Sequence, residues 1–210
     1  MGAMVDVKIP PPLEGATAFI DEEHGPLEWT WGAHGPDLEV DGATIRYGQK
    51  GRQRQNATVL SDKAFTQGIV RWTLELHAVS SGSFRPGFVQ DGYKTLSGSG
   101  TAIGNPNDSL ASVGLLHPFQ SFYNKGITTH GVADVSEEHP KRFTNNELVA
   151  FALDLDNGVF SITYAGITAT VASGIQPELG WRPALSFYCS PQIVELRNSR
   201  VEVVMTKAAR

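Results

Sequence analysis

The stretch from Phe65 to Ala78, FTQGIVRWTLELHA, decides the fold. One parity of its second half is entirely apolar, with Val70, Trp72, Leu74, Leu76 and Ala78. This alternation is typical of a β-strand that is buried on one face, so Trp72 is predicted to anchor the core. Gly68 permits a backbone bend that can fold Phe65 back toward the same core. A strand this apolar on one side needs a second sheet to cover it, which predicts a two-layer β-sandwich.

Short alternating segments bounded by turn residues continue along the chain. Asp41-Gly42 separates two of them and predicts an early hairpin, while Asp156-Asn157-Gly158 separates two others and predicts a type I′ turn. Pro86 lacks a backbone N–H, so we expect its strand to lie at a sheet edge or on a bulge. No window shows helical apolar spacing, and the pattern therefore predicts about a dozen short strands with little helix.

Length and composition suit one such domain. The chain has 210 residues, and all-β sandwiches reach this size without dividing. We expect residues 1–28 to hold a tag remnant and an extended N-terminal segment that lies across the sandwich. Residues 29–206 are expected to form a single domain, and residues 207–210 a tail. The formal net charge of −5 argues against a general nucleic-acid binder.

The cysteine count and the chain start bear on the compartment. Cys189 is the only cysteine, so no internal disulfide can form, and the start of the chain shows no signal-peptide pattern. We therefore expect an intracellular protein, cytoplasmic rather than nuclear. No apolar run approaches the length of about 18 residues that would suggest a membrane span, so we expect no membrane partner.

Motifs for catalysis, metals and cofactors are weak. Asp154-x-Asp156-x-Gly158 lacks the glutamate of a calcium loop and lies in a predicted hairpin. Gly98-x-Gly100 is not followed by a helix that could hold a pyrophosphate. The histidines and Cys189 show no zinc or nucleophile spacing, and no G-x-S-x-G elbow is present. We expect no enzyme activity, no cofactor and no metal.

Several segments occur in the order found in the SPRY domain, called B30.2 in its longer form. VLSDKAFTQGIVRWTLEL (Val59 to Leu76) resembles the family's tryptophan strand, and ELVAFALDLDNGVFSITYAG (Glu147 to Gly166) resembles its central hairpin. Trp181 to Leu185 resembles the approach to a late core strand, and Ile193 to Asn198 the closing strand. The resemblance covers most of the chain. Arg71 departs from it, because the family usually has an aromatic residue there.

The resemblance implies a fold and a function. The fold is an all-β, concanavalin-like jelly roll in which two antiparallel sheets form a SPRY-type sandwich. The function is that of a non-catalytic adaptor for protein–protein interaction, usually part of a larger protein. Such a module binds a short peptide or a folded partner through loops at one rim.

The resemblance also implies a partner-binding site on three loops. Asp91-Gly92-Tyr93-Lys94-Thr95-Leu96 is similar to the Asp-x-Tyr-x-x-Leu loop of the SOCS-box subgroup of the family. With the loop from 48 to 56 and the loop from 188 to 191, the expected site residues are Lys50, Arg52, Arg54, Asp91, Tyr93, Leu96, Tyr188, Cys189 and Ser190.

From the residues alone, two readings of these loops stay open. The basic side chains either meet acidic or phosphorylated partners or simply face solvent. Tyr93 and Leu96 are either an apolar anchor for a partner or part of a loop that packs onto the core.

Two other functions also stay open. A lectin-like sandwich would need an exposed aromatic platform beside Asp or Asn, for which Trp29 and Trp31 with Asp37, or Tyr93 with Asp91, are the candidates. A purely structural domain of a larger chain would need no partner-binding rim.

Overall fold

The fold is seen in a computed structural model of the chain. It describes residues 28–48, 56–79, 84–94, 96–98, 103–104, 110–118, 120–123, 128–129, 142–188 and 191–202. The strands are β1 (Trp31–His34), β2 (Leu38–Asp41), β3 (Thr44–Tyr47), β4 (Asn56–Ser61), β5 (Ile69–Ala78), β6 (Phe84–Gln90), β7 (Ser97–Gly98), β8 (Ser112–His117), β9 (Gln120–Tyr123), β10 (Thr128–Thr129), β11 (Glu147–Asp154), β12 (Val159–Tyr164), β13 (Ile167–Ser173), β14 (Trp181–Phe187) and β15 (Gln192–Glu202). A single turn of 3₁₀ helix, Pro177–Leu179, precedes β14.

These strands form two antiparallel sheets, as the sequence predicted. The eight-stranded sheet has the order β10-β13-β12-β11-β5-β15-β3-β2. The seven-stranded sheet has the order β1-β4-β14-β6-β8-β9, with β7 pairing with β4. Together they make the expected β-sandwich. In the part of the chain that the structure describes, no helix has the length and apolar character needed to span a membrane.

Trp72 lies in the middle of the core, which confirms the prediction made from its strand. β5 pairs with β11 on one side and with β15 on the other, so its apolar parity faces the opposite sheet. The Trp72 side chain is 1 % exposed and its ring stacks on Phe151 at 5.1 Å and on Phe160 at 5.9 Å. Stacked aromatic rings of this kind add about 0.5–1.5 kcal/mol per pair to their burial.

Aromatic contacts also join the two sheets. Phe88 of the seven-stranded sheet meets the Phe160 ring edge to face at 4.8 Å. Phe88 also packs against Trp181, whose backbone pairs with Phe65 upstream of β5. Phe65 is therefore folded back toward the core, and Gly68 has the positive φ of 75° that the bend requires.

The two predicted hairpins exist, but one turn type is wrong. Between Asp41 and Thr44, Gly42 has a positive φ, and this short turn follows the prediction. The hairpin of β11 and β12 instead closes through a four-residue loop, residues 155–158, in which only Gly158 has a positive φ. A type I′ turn would need two such residues. Polar contacts hold the four-residue form, because Asp154 accepts hydrogen bonds from Asn157 inside the loop and Asp156 accepts one from the Gly68 amide at 2.9 Å.

The prediction for Pro86 is also wrong. β6 lies between β14 and β8, and neither pairing shows a register shift, so β6 is neither an edge strand nor a bulged one. The pairs between β6 and β8 run from Gly87 to Val89. Pro86 lies just outside that ladder, where a missing N–H removes none of its pairs.

Candidate partner-binding rim

Ends of strands from both sheets meet at one end of the sandwich. Tyr47, the last residue of β3, pairs with Gln192 at the start of β15. In the other sheet Ala57 pairs with Phe187, near the start of β4 and the end of β14. The Tyr47 and Phe187 rings stack at 6.0 Å and so join the sheets at this end. We call this end the Tyr188 rim and define it by Tyr47, Gly48, Asn56, Leu96, Ser97, Tyr188 and Gln192.

Tyr188 is the most exposed aromatic side chain of the rim. It is 38 % exposed, and among the described residues only Leu148 is a comparably exposed large apolar residue. Tyr188 directly follows β14, and its backbone carbonyl accepts a hydrogen bond from the Gln192 side chain at 3.3 Å. Because side chains alternate along a strand, Tyr188 shares the outer face of the seven-stranded sheet with Ser186.

Two polar side chains flank Tyr188 on the neighbouring strands. Asn56 precedes Ala57, which pairs with Phe187, so buried Asn56 lies beside Tyr188. Arg85 pairs with Ser186 and is therefore a diagonal neighbour of Tyr188 on the same face. Arg85 is half-buried, and burial lowers the pKa of its guanidinium. The register thus places a phenol, an amide and a guanidinium on adjacent strands of one face, where the exposed phenol can stack and the guanidinium brings positive charge.

Sequence reasoning missed Arg85 and gave Asn56 no role. The signal for Arg85 was its position between Phe84 and Pro86, both buried. Its own side chain must then project from the opposite face of β6, near the strand's first residue. A charged residue so placed is a candidate for the rim.

Leu96 lies at the Tyr188 rim, next to the start of β4. The Leu96 carbonyl accepts a hydrogen bond from the Thr58 amide at 2.8 Å, and the following Ser97 pairs with Ala57. Gly35 packs closely on the other side, where a Cβ atom would lie 2.3 Å from the Leu96 carbonyl oxygen. The backbone at Leu96 is therefore held between two elements.

Asp91 lies at the opposite end of the sheet from the Tyr188 rim. Arg182, the second residue of β14, donates from Nε to Asp91 at 2.7 Å. This hydrogen bond holds the pKa of the Asp91 carboxyl below its usual value. Arg182 and Tyr188 are about 20 Å apart along an extended strand. The structure therefore does not bring Asp91 together with Tyr188.

Tyr93 is buried and lies between these two ends. It is 6 % exposed and belongs to a small apolar cluster on the outer face of the seven-stranded sheet, with Leu60, Val89, Ile103 and Ala184. The loop around it is fastened by polar contacts, such as that of the Ile103 amide with Ser186 Oγ at 3.2 Å. Of the two readings of this loop, the geometry of Tyr93 matches packing onto the sheet.

Five predicted site residues lie outside the described part of the chain, namely Lys50, Arg52, Arg54, Cys189 and Ser190. Their roles stay predictions. Their chain neighbours Gly48, Asn56, Tyr188 and Pro191 are described, and three of these four belong to the definition of the rim.

The described part of the chain contains one group with the donors of a metal site. Glu75, His77 and Glu195 place one ligand atom each within 4.8 Å of one another on the eight-stranded sheet. Arg197 already contacts both carboxylates, including Glu195 at 2.8 Å, and His77 Nε2 lies 3.0 Å from Glu195. The guanidinium supplies the positive charge that a metal would bring, so this is an ion-pair network.

The aromatic residues considered for a glycan platform are all buried. Trp29 packs edge to face against Trp31 at 5.0 Å and against Trp72 at 6.2 Å, inside the sandwich. Tyr93 is buried on the other side of the seven-stranded sheet. None of these three rings can stack on a sugar without a rearrangement.

Comparison with known proteins identifies the fold. No family model matches the chain, and no curated protein matches it either. Solved structures that are similar include the SPRY domain of human HERC1, with a TM-score of 0.51 and 12 % identity over 83 % of this chain and 100 % of that chain.

Two further solved structures are similar to the same extent. A human SPRY domain has a TM-score of 0.55 and 11 % identity over 79 % of this chain and 96 % of that chain. The TRIM65 PSpry domain has a TM-score of 0.56 and 13 % identity over 81 % of this chain and 90 % of that chain. Each comparison covers most of both chains, so the sandwich has the SPRY-type fold that the sequence resemblance implied.

Proposed function

We propose that this chain is a non-catalytic protein-interaction domain and that it binds a peptide or a folded partner at the Tyr188 rim. The SPRY-type fold supports the general role, since this role is what the resemblance implies. We also propose that the domain works inside the cell. Function depends on a site rather than on a fold, so the proposal needs support from the rim itself.

The proposal rests mainly on one observation: exposed Tyr188 lies near half-buried Arg85 where strand ends of both sheets meet. Tyr188 is 38 % exposed, while Arg85 and Asn56 flank it on the adjacent strands. Tyrosine and arginine are enriched among residues that dominate binding energy, because each combines a large contact area with directed hydrogen bonds. Asn56 and Arg85 lie on strands and Tyr188 directly follows one, so we expect binding to cost little conformational entropy at these residues.

The charge near the rim suggests the chemistry of the partner. Lys50, Arg52 and Arg54 precede Asn56 closely in the chain, and Arg85 lies on the described surface. Guanidinium groups form strong, often bidentate hydrogen bonds with carboxylates and phosphates. We propose that the partner segment carries acidic or phosphorylated residues next to an apolar side chain that packs on Tyr188.

The proposal is tested by comparing partner recovery between two matched variants of the full chain. Tyr188→Ala removes the exposed rim aromatic, and Leu148→Ala removes a similarly exposed apolar side chain of the other sheet. Quantitative mass spectrometry should show a set of proteins that is lost with Tyr188→Ala and retained with Leu148→Ala. Equal recovery with both variants would contradict the proposal.

Tyr93→Ala is unsuitable for this purpose. Because the Tyr93 side chain is buried against the sheet, its truncation would open a cavity and lower stability wherever the partner binds.

A further inference from the structure

A groove of about 200 Å³ runs over the outer face of the eight-stranded sheet. Its floor is made by small side chains of β11, Ala150 and Ala152, which lie between longer side chains of the neighbouring strands. On one side Thr163 and Thr168 join their hydroxyl groups at 2.9 Å. The outer face of a sheet usually carries longer polar side chains, so this trough leaves apolar surface accessible.

The groove has one side chain suited to an acidic ligand. Among the described residues that line it, Arg71 is the one basic residue and Asp154 the one acidic residue. The Asp154 carboxylate accepts hydrogen bonds from the backbone and the side chain of Asn157, at 3.0 and 2.9 Å. Asp154 is thereby committed to the turn after β11. The positive charge that lines the groove is the guanidinium of Arg71.

The chain enters the fold beside this groove. The Trp29 carbonyl accepts a hydrogen bond from Ser199 Oγ at 2.8 Å, and Lys63 Nζ contacts the Glu28 carbonyl. Asn198, next to Ser199 on β15, lines the groove. Arg71 lies on β5, the next strand of the sheet, so it is about 5 Å further across.

The residues before Glu28 have the composition that the groove would accept. Phe19 and Ile20 are adjacent large apolar residues, and Asp21-Glu22-Glu23 follows them directly. When extended, the chain from residue 20 to residue 28 can span about 26 Å. Crossing the sheet from β15 to β12 takes about 14 Å, which is three strand spacings. The segment can therefore reach every part of the groove.

We propose that residues 19–23 of the same chain occupy this groove. The apolar pair Phe19-Ile20 covers the alanine floor, and the carboxylates of residues 21–23 lie against Arg71. The N-terminal segment then acts as an intramolecular ligand of the eight-stranded sheet. Tyr188 follows β14 of the other sheet and the groove lies on the outer face of the eight-stranded sheet, so occupation of the groove is independent of the function proposed for the rim.

Paramagnetic broadening in the full chain tests the proposal. A nitroxide is attached at Ala18→Cys in a Cys189→Ser background, and backbone amide signals are recorded by NMR. We expect the amides of Ala150, Ala152 and Thr163 to lose more than half of their intensity, while those of Leu185 in the other sheet change little. Equal intensities in the two sheets would overturn the proposal.

Two controls test whether the carboxylates hold the segment in place and whether the occupant belongs to the same chain. The change Glu22→Gln with Glu23→Gln should at least halve the broadening, whereas Glu14→Gln, in the same segment but outside residues 19–23, should leave it unchanged. Equal effects of these variants would overturn the role of the carboxylates. Mixing nitroxide-labelled chain with isotope-labelled chain that lacks the nitroxide should give no broadening. Broadening in that mixture would assign the groove to a second copy and overturn the intramolecular form.

Discussion

The core contains two buried tryptophans, Trp72 and Trp181, and replacing each in turn by phenylalanine tests how the core is stabilised. Trp72 is 1 % exposed and Trp181 is fully buried, so replacing either by phenylalanine removes the same atoms from a similar environment. The hydrogen bonding of the two indoles differs. Trp181 Nε1 donates to the Gln176 carbonyl at 2.7 Å, whereas Trp72 Nε1 has no acceptor among the described residues.

The difference in hydrogen bonding sets the expected difference in stability. Both variants lose transfer energy and gain a cavity, which costs about 1–3 kcal/mol in each case. Trp181→Phe additionally loses a hydrogen bond worth about 0.5–1.5 kcal/mol, whereas Trp72→Phe removes a buried donor whose desolvation is unfavourable by about 1–3 kcal/mol. Trp181→Phe should therefore be the less stable variant by about 2 kcal/mol.

Equilibrium unfolding in urea, followed by far-UV circular dichroism, measures this difference directly. In thermal unfolding, the same difference of about 2 kcal/mol between the two variants would correspond to about 4–8 °C in Tm for a chain of this size. The phenyl ring at position 72 can still stack on Phe151 and Phe160, so the aromatic packing does not reverse the order. Equal midpoints, or a less stable Trp72→Phe, would refute the reasoning.

Three further predictions concern single positions. Gly87→Ala should lower the free energy of unfolding by more than about 3 kcal/mol in a urea titration, because its Cβ would lie 1.9 Å from a backbone oxygen of β8. A Cβ at Gly48 would meet nothing within 4 Å, so the control Gly48→Ala should change it by less than about 0.5 kcal/mol. Asp91→Asn should lower the free energy of unfolding by at most about 1 kcal/mol at neutral pH, since the Asp91 side chain is 48 % exposed. Because Arg182 lowers the Asp91 pKa, the stability advantage of the wild type is present above the unfolded pKa of about 3.9. In pH-dependent unfolding, this advantage should be lost as the pH falls through the folded pKa. Burial raises the Tyr164 pKa, so the stability contributed by the neutral phenol is complete below about pH 10 and is lost as the pH rises through the folded pKa. In pH-dependent unfolding, Tyr164→Phe should therefore lose less stability at alkaline pH than the wild type.

The core was predictable because a strand that is buried on one face alternates apolar and polar residues along the sequence. The alternation around Trp72 identified the inward face of β5, and the turn residues at Asp41-Gly42 identified a hairpin. Turn geometry was harder to predict. The loop after Asp154 is held in part by the hydrogen bond from the Gly68 amide to the Asp156 carboxylate, and that contact comes from the tertiary structure.

The candidate site was predictable only in part, for a physical reason. The segment after β6 is rich in glycine and has no periodicity, so the sequence gives no indication of how far it runs along the sheet. It starts with Asp91 beside Arg182, passes buried Tyr93 and reaches the rim with Leu96. Residues that are close in sequence therefore lie at opposite ends. Arg85 was missed because an isolated charge on a short strand is usually only solvated.

The location of the binding site is tested most directly by titrating a recovered partner against three variants of the full chain. Tyr188→Ala alters the Tyr188 rim, Asp91→Ala alters the opposite end of the same sheet, and Leu148→Ala alters the other sheet. Isothermal titration calorimetry should give a Kd at least about tenfold higher for Tyr188→Ala and a change of less than about twofold for the other two. An unchanged Kd for Tyr188→Ala, with weaker binding by Asp91→Ala or Leu148→Ala, would contradict the account.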